Sequence, residues 1–214
     1  AGYANFSFEY GESDPTSRSV QRDDAAALIA AGNTDVLNPA QIWGSPLIED
    51  DMKLWMNLGL DLGNGNFAYA FGNYSKKFVD GGFYFRNPNT RSAVFSGDDG
   101  ESLLIGDLQL AEGGAPAGCP AVPITNNIPD PTALAEVFAR DECFSFQEIF
   151  PGGFTPRFGG DVSDQSLTAG VRGEMDNGLR WDFSAGFGRN NVDFFIRNTV
   201  NASLGPATPT SFDP

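Results

Sequence analysis

The sequence contains no histidine, only two cysteines, and fewer than half as many basic as acidic residues. Thirteen lysines and arginines stand against 28 aspartates and glutamates, which gives a formal net charge of −15. Such a chain repels a phosphate backbone, which argues against a nucleic-acid partner. Without histidine, the commonest general base and metal ligand is missing. Two cysteines and carboxylates make a poor zinc site. We therefore expect the protein to have no enzymatic activity and to bind neither a metal nor a cofactor.

Long apolar runs are also missing. No stretch approaches the roughly 20 consecutive apolar residues that a membrane-spanning helix needs. This excludes a helical span but not a membrane-crossing strand, because barrel strands carry only a two-residue alternation over about ten residues. The chain begins at Ala1, with neither an initiator methionine nor a signal segment. We therefore expect a mature or truncated piece of a protein.

An alternating stretch from Met52 to Leu62 is the clearest structural signal that the chain does contain. Its even-numbered positions all carry Met or Leu, whereas its odd-numbered positions are mostly polar or small. A two-residue period predicts a strand with one apolar and one polar face. The strand stops at Gly63-Asn64-Gly65-Asn66, and Phe67, Tyr69 and Phe71 then alternate. We predict a β-hairpin with a very short turn.

Further alternation and turn signals divide the rest of the chain. We predict five strands, at about 3–10, 51–62, 67–79, 164–175 and 179–195, separated or followed by long loops at 11–50, 80–163 and 196–214. Asp176-Asn177-Gly178 predicts a second tight hairpin turn. Two short helices are expected inside the loops. One is capped by Asp23 or Asp24 and ends before Gly32; the other is capped by Asp130 and runs from Pro131 to Arg140.

The connections between the predicted strands are asymmetric. Both short turns lie at one end of the strands, and all long loops lie at the other. Bacterial outer-membrane barrels have short periplasmic turns and long extracellular loops, and their strands cross an apolar band about 25 Å high. We therefore predict an all-β fold: a segment of an antiparallel, up-and-down transmembrane β-barrel whose long extracellular loops contain short helices. Residues 1–214 would form part of one barrel domain.

In such a barrel the two faces of each strand meet different solvents. Charged side chains on alternate positions would face a water-filled lumen, namely Lys53, Asp61, Arg172, Glu174, Arg180 and Asp182. Large apolar side chains would contact lipid, namely Leu54, Met56, Leu58, Leu60, Leu62, Phe67, Tyr69, Phe71, Leu167, Val171, Leu179, Trp181 and Phe183. A soluble sandwich would instead bury its apolar face, and alternation alone does not distinguish the two cases.

Several segments resemble the barrel portion of TonB-dependent outer-membrane receptors from Gram-negative bacteria. They are DPTSR (14–18), GGFYFRNPNTR (81–91), FPGGFTPRF (150–158), NTVNASLG (198–205) and PTSFDP (209–214). The resemblance implies a barrel of about 22 strands with an N-terminal plug. It also implies active uptake of a scarce small-molecule nutrient, such as a siderophore, cobalamin or saccharide, across the outer membrane. This chain lacks the plug, the coupling box and the terminal aromatic strand, so we expect an internal barrel segment.

The same resemblance implies the partners of the chain. The partners would be the lipid membrane, the remainder of the barrel and plug, and an inner-membrane energy-coupling complex. Cys119 and Cys143 lie in the longest loop, where an oxidising extracellular space favours a disulfide. The acidic cluster Asp98, Asp99 and Glu101 lacks the ligand spacing of an EF-hand, so we expect a solvated loop rather than a Ca²⁺ site.

Aromatic and arginine side chains of the long loops are the candidates for substrate contact. Rings can stack on sugars or aromatic chelators, and arginine can pair with carboxylate or phosphate groups. The alternative is that these side chains pack the loops against each other. The candidates are Trp43, Phe83, Tyr84, Phe85, Arg86, Arg91, Phe154, Arg157 and Phe158.

Two other functions stay open from the sequence alone. The first is a secreted or surface β-rich binding or structural protein, such as a carbohydrate-binding sandwich. The second is a receptor fragment that self-assembles through exposed strand edges.

Overall fold

The computed structural model describes all 214 residues. One antiparallel sheet dominates it, and the long connections carry short helices and two small two-stranded sheets. In chain order the elements are β1 (Gly2–Ser13), α1 (Asp23–Ala30), β2 (Leu47–Gly63), β3 (Asn66–Gly82), β4 (Gly106–Asp107), α2 (Leu108–Ala111), β5 (Ile124–Thr125), β6 (Ile128–Pro129), α3 (Pro131–Phe138), β7 (Cys143–Phe144), β8 (Arg157–Glu174), β9 (Arg180–Arg197) and β10 (Ser211–Phe212).

The main sheet has the strand order β1-β2-β3-β8-β9-β10 and is open, with β1 at one edge and β9 and β10 at the other. The prediction of a mostly β, antiparallel chain is therefore confirmed. The four central strands extend further toward the long-loop end than predicted. The extensions of β3 and β8 contain the glycine pairs Gly81-Gly82 and Gly159-Gly160. Glycine is depleted in strands, which explains why the alternating sequence pattern did not predict strand at these residues.

A single extra residue sets the geometry of the β2–β3 hairpin. Gly63 pairs with Asn66, so Asn64 and Gly65 form a two-residue turn, and both have positive φ (54° and 74°) as a type I′ turn requires. The next pair is not Leu62 with Phe67 but Asp61 with Phe67. Leu62 is therefore the extra residue of a β-bulge, which shifts the register of β3 by one position.

This bulge overturns one prediction about the faces of the sheet. Phe67, Tyr69 and Phe71 were expected on the same face as the leucines of β2. Because a one-residue shift turns every side chain of a strand to the other face, they lie instead on the face of Asp61 and Asn57. The small residues of β3 take the positions beside the leucines.

The β8–β9 hairpin has no bulge. Gly178 N–H donates to the Met175 carbonyl (2.8 Å), and Leu179 N–H donates to the side chain of Asn177 (3.0 Å). Glu174 pairs directly with Arg180, and the regular register that follows puts the apolar residues of β8 and β9 on one face. The predicted sharing of a face by Leu167, Val171, Trp181 and Phe183 is confirmed. Leu179, which was predicted to share it, lies in the turn before β9 begins at Arg180.

The two predicted helices both form. Asp130 caps α3 by accepting hydrogen bonds from Thr132 N–H (3.0 Å) and Ala133 N–H (2.8 Å), as predicted, although α3 ends at Phe138. The predicted cap of α1 is wrong, because Arg22 occupies the N-cap position without a side-chain hydrogen bond. The two aspartates lie instead in the first helical turn, where they favour the positive end of the helix dipole.

The hydrophobic core of this chain lies in its loops rather than on its sheet. Three small clusters are buried there, around Leu28 and Phe85, around Phe95 and Phe154, and around Val122 and Val137. In the main sheet the buried residues are four glycines and one aromatic residue, namely Gly59, Gly72, Gly159, Gly160 and Phe195. No second sheet covers either face, so the structure is not a sandwich. No helix combines the length and apolar character that crossing a membrane requires.

Candidate functional site

The pairing register shows on which face of the main sheet each side chain lies. In the lower part of the sheet, next to the short turns, the two faces differ strongly in composition. The leucine face carries no charge and consists of Ala4, Phe6, Phe8, Tyr10, Met52, Leu54, Met56, Leu58, Leu60, Ala68, Ala70, Gly72, Tyr74, Leu167, Ala169, Val171, Gly173, Trp181, Phe183, Ala185 and Phe187. The polar face consists of Tyr3, Asn5, Ser7, Glu9, Lys53, Trp55, Asn57, Asp61, Phe67, Tyr69, Phe71, Asn73, Ser166, Thr168, Arg172, Glu174, Arg180, Asp182 and Ser184. All six side chains predicted to share a charged face do so.

The leucine face is exposed to an unusual degree. Phe6 is 69% exposed, Phe8 65%, Phe183 75% and Phe187 62%. With about 200 Å² of surface for each ring, these four side chains alone expose roughly 500 Å². Soluble monomers rarely expose a continuous apolar patch of more than a few hundred Å². The face therefore needs an apolar environment or partner.

The upper limit of the leucine face runs obliquely across the sheet. Its last apolar residues are Tyr10 and Met52, which pair with each other, then Tyr74, and then Leu167 and Phe187, which lie at the level of Met56. The limit thus drops by four residues, about 13 Å, across four inter-strand steps of about 4.8 Å. An apolar band inclined by roughly 35° to the inter-strand direction follows from these spacings.

Above that limit both faces carry a mixture of charged and apolar residues. On the side of the leucine face, the strands carry Lys76, Asp161 and Asp193. On the side of the polar face, at a similar level, Val162 pairs with Val192. Phe78 and Phe195 also lie on the side of the leucine face here, and Lys77 lies beside Val162 on the other side, so the continuous uncharged surface is limited to the lower part of the sheet.

Aromatic rings surround an arginine on the polar face. The guanidinium carbon of Arg172 lies 5.2 Å from the ring centre of Phe67 and 5.8 Å from that of Tyr69. The Tyr69 hydroxyl donates a hydrogen bond of 2.7 Å to Asp182. Arg172 makes no ion pair, so its N–H donors remain available for a carboxylate or phosphate group.

Four of the nine predicted substrate-contact residues form one exposed loop cluster. Trp43 packs edge-on against Tyr84 with ring centres 5.0 Å apart, and Tyr84 packs in the same way against Phe83 at 5.6 Å. The guanidinium carbon of Arg86 lies 5.5 Å from the Phe83 ring centre. Burial, together with the nearby charge of Arg91, lowers the pKa of Arg86 from its ordinary value. This cluster presents three rings to solvent, and the half-buried Arg86 guanidinium lies against one of them.

The other five candidates lie elsewhere. Phe85 is buried against Leu28 and Val36, and Phe154 is buried against Phe95, so both pack the loops together rather than facing a substrate. The remaining three are distributed over the surface: Arg157 forms an ion pair with Asp80 (3.0 Å), Phe158 stacks on Phe194 (5.2 Å), and Arg91 is exposed without an ion pair. The nine residues therefore do not form a single site.

The acidic loop is organised by hydrogen bonds within it. Asp98 accepts hydrogen bonds from the Ser96 hydroxyl (2.8 Å), from Ser102 N–H (3.0 Å) and from the Ser102 hydroxyl. The Ser102 hydroxyl, Ser102 N–H and Ser96 hydroxyl hold the pKa of Asp98 well below its ordinary value. No group of three or more Cys, Asp and Glu side chains in the structure is arranged to hold a metal ion.

The predicted disulfide between Cys119 and Cys143 is present. Cys143 lies in β7, where it pairs with Asp107 of β4, and the bond therefore ties the 106–118 connection to the segment that follows α3. Arg140 reinforces this attachment, because its guanidinium donates to the carbonyls of Ala117 (2.7 Å) and Gly118 (3.1 Å).

Sequence inspection missed the phenylalanines that organise the loops. Phe95, Phe144 and Phe146 are nearly completely buried and form one cluster with Phe154. They have no periodic spacing, so no local signal separates them from the exposed Phe83.

Comparisons with protein-family models, with curated proteins and with solved structures each find no match to this chain.

Proposed function

We propose that this chain forms part of the wall of a transmembrane β-barrel of the TonB-dependent receptor type. It would lie in a bacterial outer membrane and serve the uptake of a scarce small-molecule nutrient. The observation that carries the proposal is the leucine face, a continuous uncharged surface that stays exposed although the chain contains enough charge for a soluble exterior. Lipid supplies the apolar environment that this face needs.

The shape of the apolar band supports a membrane rather than a partner protein. Strands of bacterial barrels are tilted by about 35–45°, so a band parallel to the bilayer must cross them obliquely. The inclination of roughly 35° agrees with that tilt. Along β2 the band runs from Met52 to Leu60 or Leu62, which is about 26–33 Å of strand. Corrected for tilt, it is roughly 20–27 Å high, close to the 25 Å apolar band of such barrels.

The connections agree with this orientation. The short turns at Asn64-Gly65 and Asp176-Asn177-Gly178 would lie on the periplasmic side. The long connections, with their disulfide, would lie in the oxidising extracellular space. The charges of Lys76, Asp161 and Asp193, which lie just above the apolar band, would then be in water.

The receptor class rests on the resemblance, and its separate segments are neighbours in space. Arg86, in the segment 81–91, exchanges two backbone hydrogen bonds with Phe154 in the segment 150–158 (2.7 and 3.1 Å). Asn198, in a third segment, donates from its side chain to the Thr155 carbonyl (2.8 Å). Three of the five segments that carry the resemblance thus lie side by side in the fold.

Substitution of adjacent residues at one depth tests the membrane assignment. Leu58→Arg places a charge on the leucine face, and Asn57→Arg places it on the polar face. In the closed barrel that contains this chain, refolded into lipid vesicles, Leu58→Arg should lose roughly 2–4 kcal/mol of folding free energy and Asn57→Arg much less. Gly59 is unsuitable as the control, because the rings of Tyr3 and Phe67 close over it. Equal losses, or a cooperative melt of the wild-type chain without detergent or lipid, would refute the proposal.

Self-assembly through sheet edges is the second candidate function. Strand β1 pairs only with β2, and most of β9 pairs only with β8, so both carry unpaired backbone groups along one edge. The N–H of Ala4 points away from β2, so Ala4→Pro removes one edge donor and should slow assembly if edges pair between copies. Sedimentation of the detergent-solubilised chain tests it: a single monomeric species at all concentrations would exclude this candidate.

A further inference from the structure

A cavity of about 350 Å³ lies within the loops and is separate from both faces of the sheet. Its walls are mostly apolar and include Val94, Leu104, Ile105, Leu108, Phe144 and Phe146, and the 3₁₀ turn Ala202–Ala207 closes one side. None of the nine predicted substrate-contact residues lines it. A volume of this size falls within the range of small-ligand pockets, which is about 300–1,000 Å³.

The floor of the cavity is held by several independent restraints. Gly106 of β4 pairs with Phe144 of β7, and Cys143 beside it is held by the disulfide. The two carboxylate oxygens of Asp107 accept hydrogen bonds from Leu110 N–H (2.9 Å) and Ala117 N–H (2.7 Å). These bonds fix α2 and the following segment around the opening, so the cavity is built into the loop framework.

The lining determines the chemistry of an occupant. No lysine or arginine lines the cavity, and its one charged group, Asp107, already accepts backbone hydrogen bonds with both oxygens. An anion would lose its hydration without gaining a partner, and the net charge of −15 would repel it further. An apolar ligand meets no such cost, and an apolar protein cavity of only about 150 Å³ is known to bind benzene.

We propose that this cavity is a binding site for an uncharged, predominantly apolar small molecule. The proposal does not depend on the barrel function, because every wall residue lies outside the apolar band of the sheet. The occupant would lie against the rings of Phe144 and Phe146. Aromatic and branched aliphatic compounds with at most one hydroxyl group fit this description.

Methyl NMR of the full chain in detergent micelles tests the site, with 2-naphthalenemethanol as the neutral probe. We expect saturable shifts of the Leu104, Ile105 and Leu108 methyl groups. Partitioning of the probe into the micelle would shift the methyl groups of Leu58 and Leu60 without saturation. The 2-naphthoate anion should bind at least tenfold more weakly. Absence of saturable shifts, equal or tighter binding of the anion, or tighter binding of 2-naphthylmethylammonium would overturn the proposal.

Filling the cavity provides the matched control. Ala202→Phe, or Ala111→Phe if the first variant does not fold, should weaken probe binding at least tenfold. Ala135→Phe adds the same ring on the exposed side of α3, away from the cavity, and should leave binding unchanged. Unchanged binding in the filled variants would contradict the assignment. Shifts of the same methyl groups that depend on protein concentration in the absence of the probe would also overturn it, because they would show a contact between copies of the chain.

Discussion

The hydroxyl of Tyr69 on β3 donates a 2.7 Å hydrogen bond to Asp182 on β9, across the intervening strand β8. This bond exists because the bulge at Leu62 turns the rings of β3 to the polar face. Beside it, the Arg172 guanidinium packs on two of these rings, those of Phe67 and Tyr69. If the chain lines a barrel, three aromatic rings and an unpaired arginine would face its lumen near the periplasmic end.

The two faces of the sheet should respond differently to the same substitution. Phe71→Arg on the polar face and Phe183→Arg on the leucine face both replace an exposed phenylalanine. In the closed barrel that contains this chain, refolded into lipid vesicles, Phe183→Arg should cost roughly 2–4 kcal/mol near the middle of the bilayer, and Phe71→Arg less than about 1 kcal/mol. Urea titration of the refolded protein measures both values. A larger cost for Phe71→Arg would show that the bulge at Leu62 is absent in the membrane.

Phe154 and Phe83 were both predicted to contact substrate, but their replacement by alanine should change the stability of the protein by very different amounts. Phe154→Ala removes a ring that is 5% exposed from the cluster around Phe95, which should cost about 3–5 kcal/mol. Phe83→Ala removes a ring that is 40% exposed, and about 1 kcal/mol or less is expected. Trp43 fluorescence during urea unfolding reports on the loops, provided that the two other tryptophans are replaced. Similar losses in the two variants would place Phe154 at the surface.

The disulfide should stabilise the loops and leave the sheet unchanged. Cys119 and Cys143 are 24 residues apart, so the closed loop contributes about 3 kcal/mol through the entropy of the unfolded chain. The double variant Cys119→Ala/Cys143→Ala should be cut by protease between residues 106 and 143 much faster than the wild type. Cleavage in the two hairpins should not change. Equal protection of residues 106–143 in both proteins would contradict the prediction.

Acid should loosen the turn around Asp98. The folded state holds the pKa of this carboxylate below its ordinary value of 3.8, chiefly through the Ser102 hydroxyl and N–H. Its contribution to stability is therefore complete above about pH 4 and declines as the pH falls below the ordinary pKa toward the folded one. Protection of the Ser102 amide against hydrogen exchange should fall over this range.

The matched control for this titration is a neighbouring carboxylate. Asp98→Asn should lose the pH dependence of Ser102 protection, and Asp99→Asn should retain it, because Asp99 makes no comparable hydrogen bonds. A Ser102 protection factor that is constant between pH 5 and pH 2 in the wild type would show that Asp98 does not hold the turn.

Local chemistry allowed several features to be predicted from the sequence. Alternation located the five long strands, Asn64-Gly65 and Asp176-Asn177-Gly178 located their turns, and Asp130 with Pro131 located α3. The disulfide had only one possible pairing within the chain. Each of these signals acts between residues that are close in sequence, or, for the cysteines, leaves no alternative partner.

Tertiary structure alone decided which face β3 presents and which loop rings are buried. The bulge at Leu62 changes the register by one residue, and a two-residue period looks the same on either side of such a shift. Phe85 and Phe154 became core, and Phe83 stayed exposed, because burial depends on segments that are distant in the chain. The cavity beside Phe144 arises in the same way, since its walls come from residues 93–111, 144–146 and 202–206, which only the folded loops bring together.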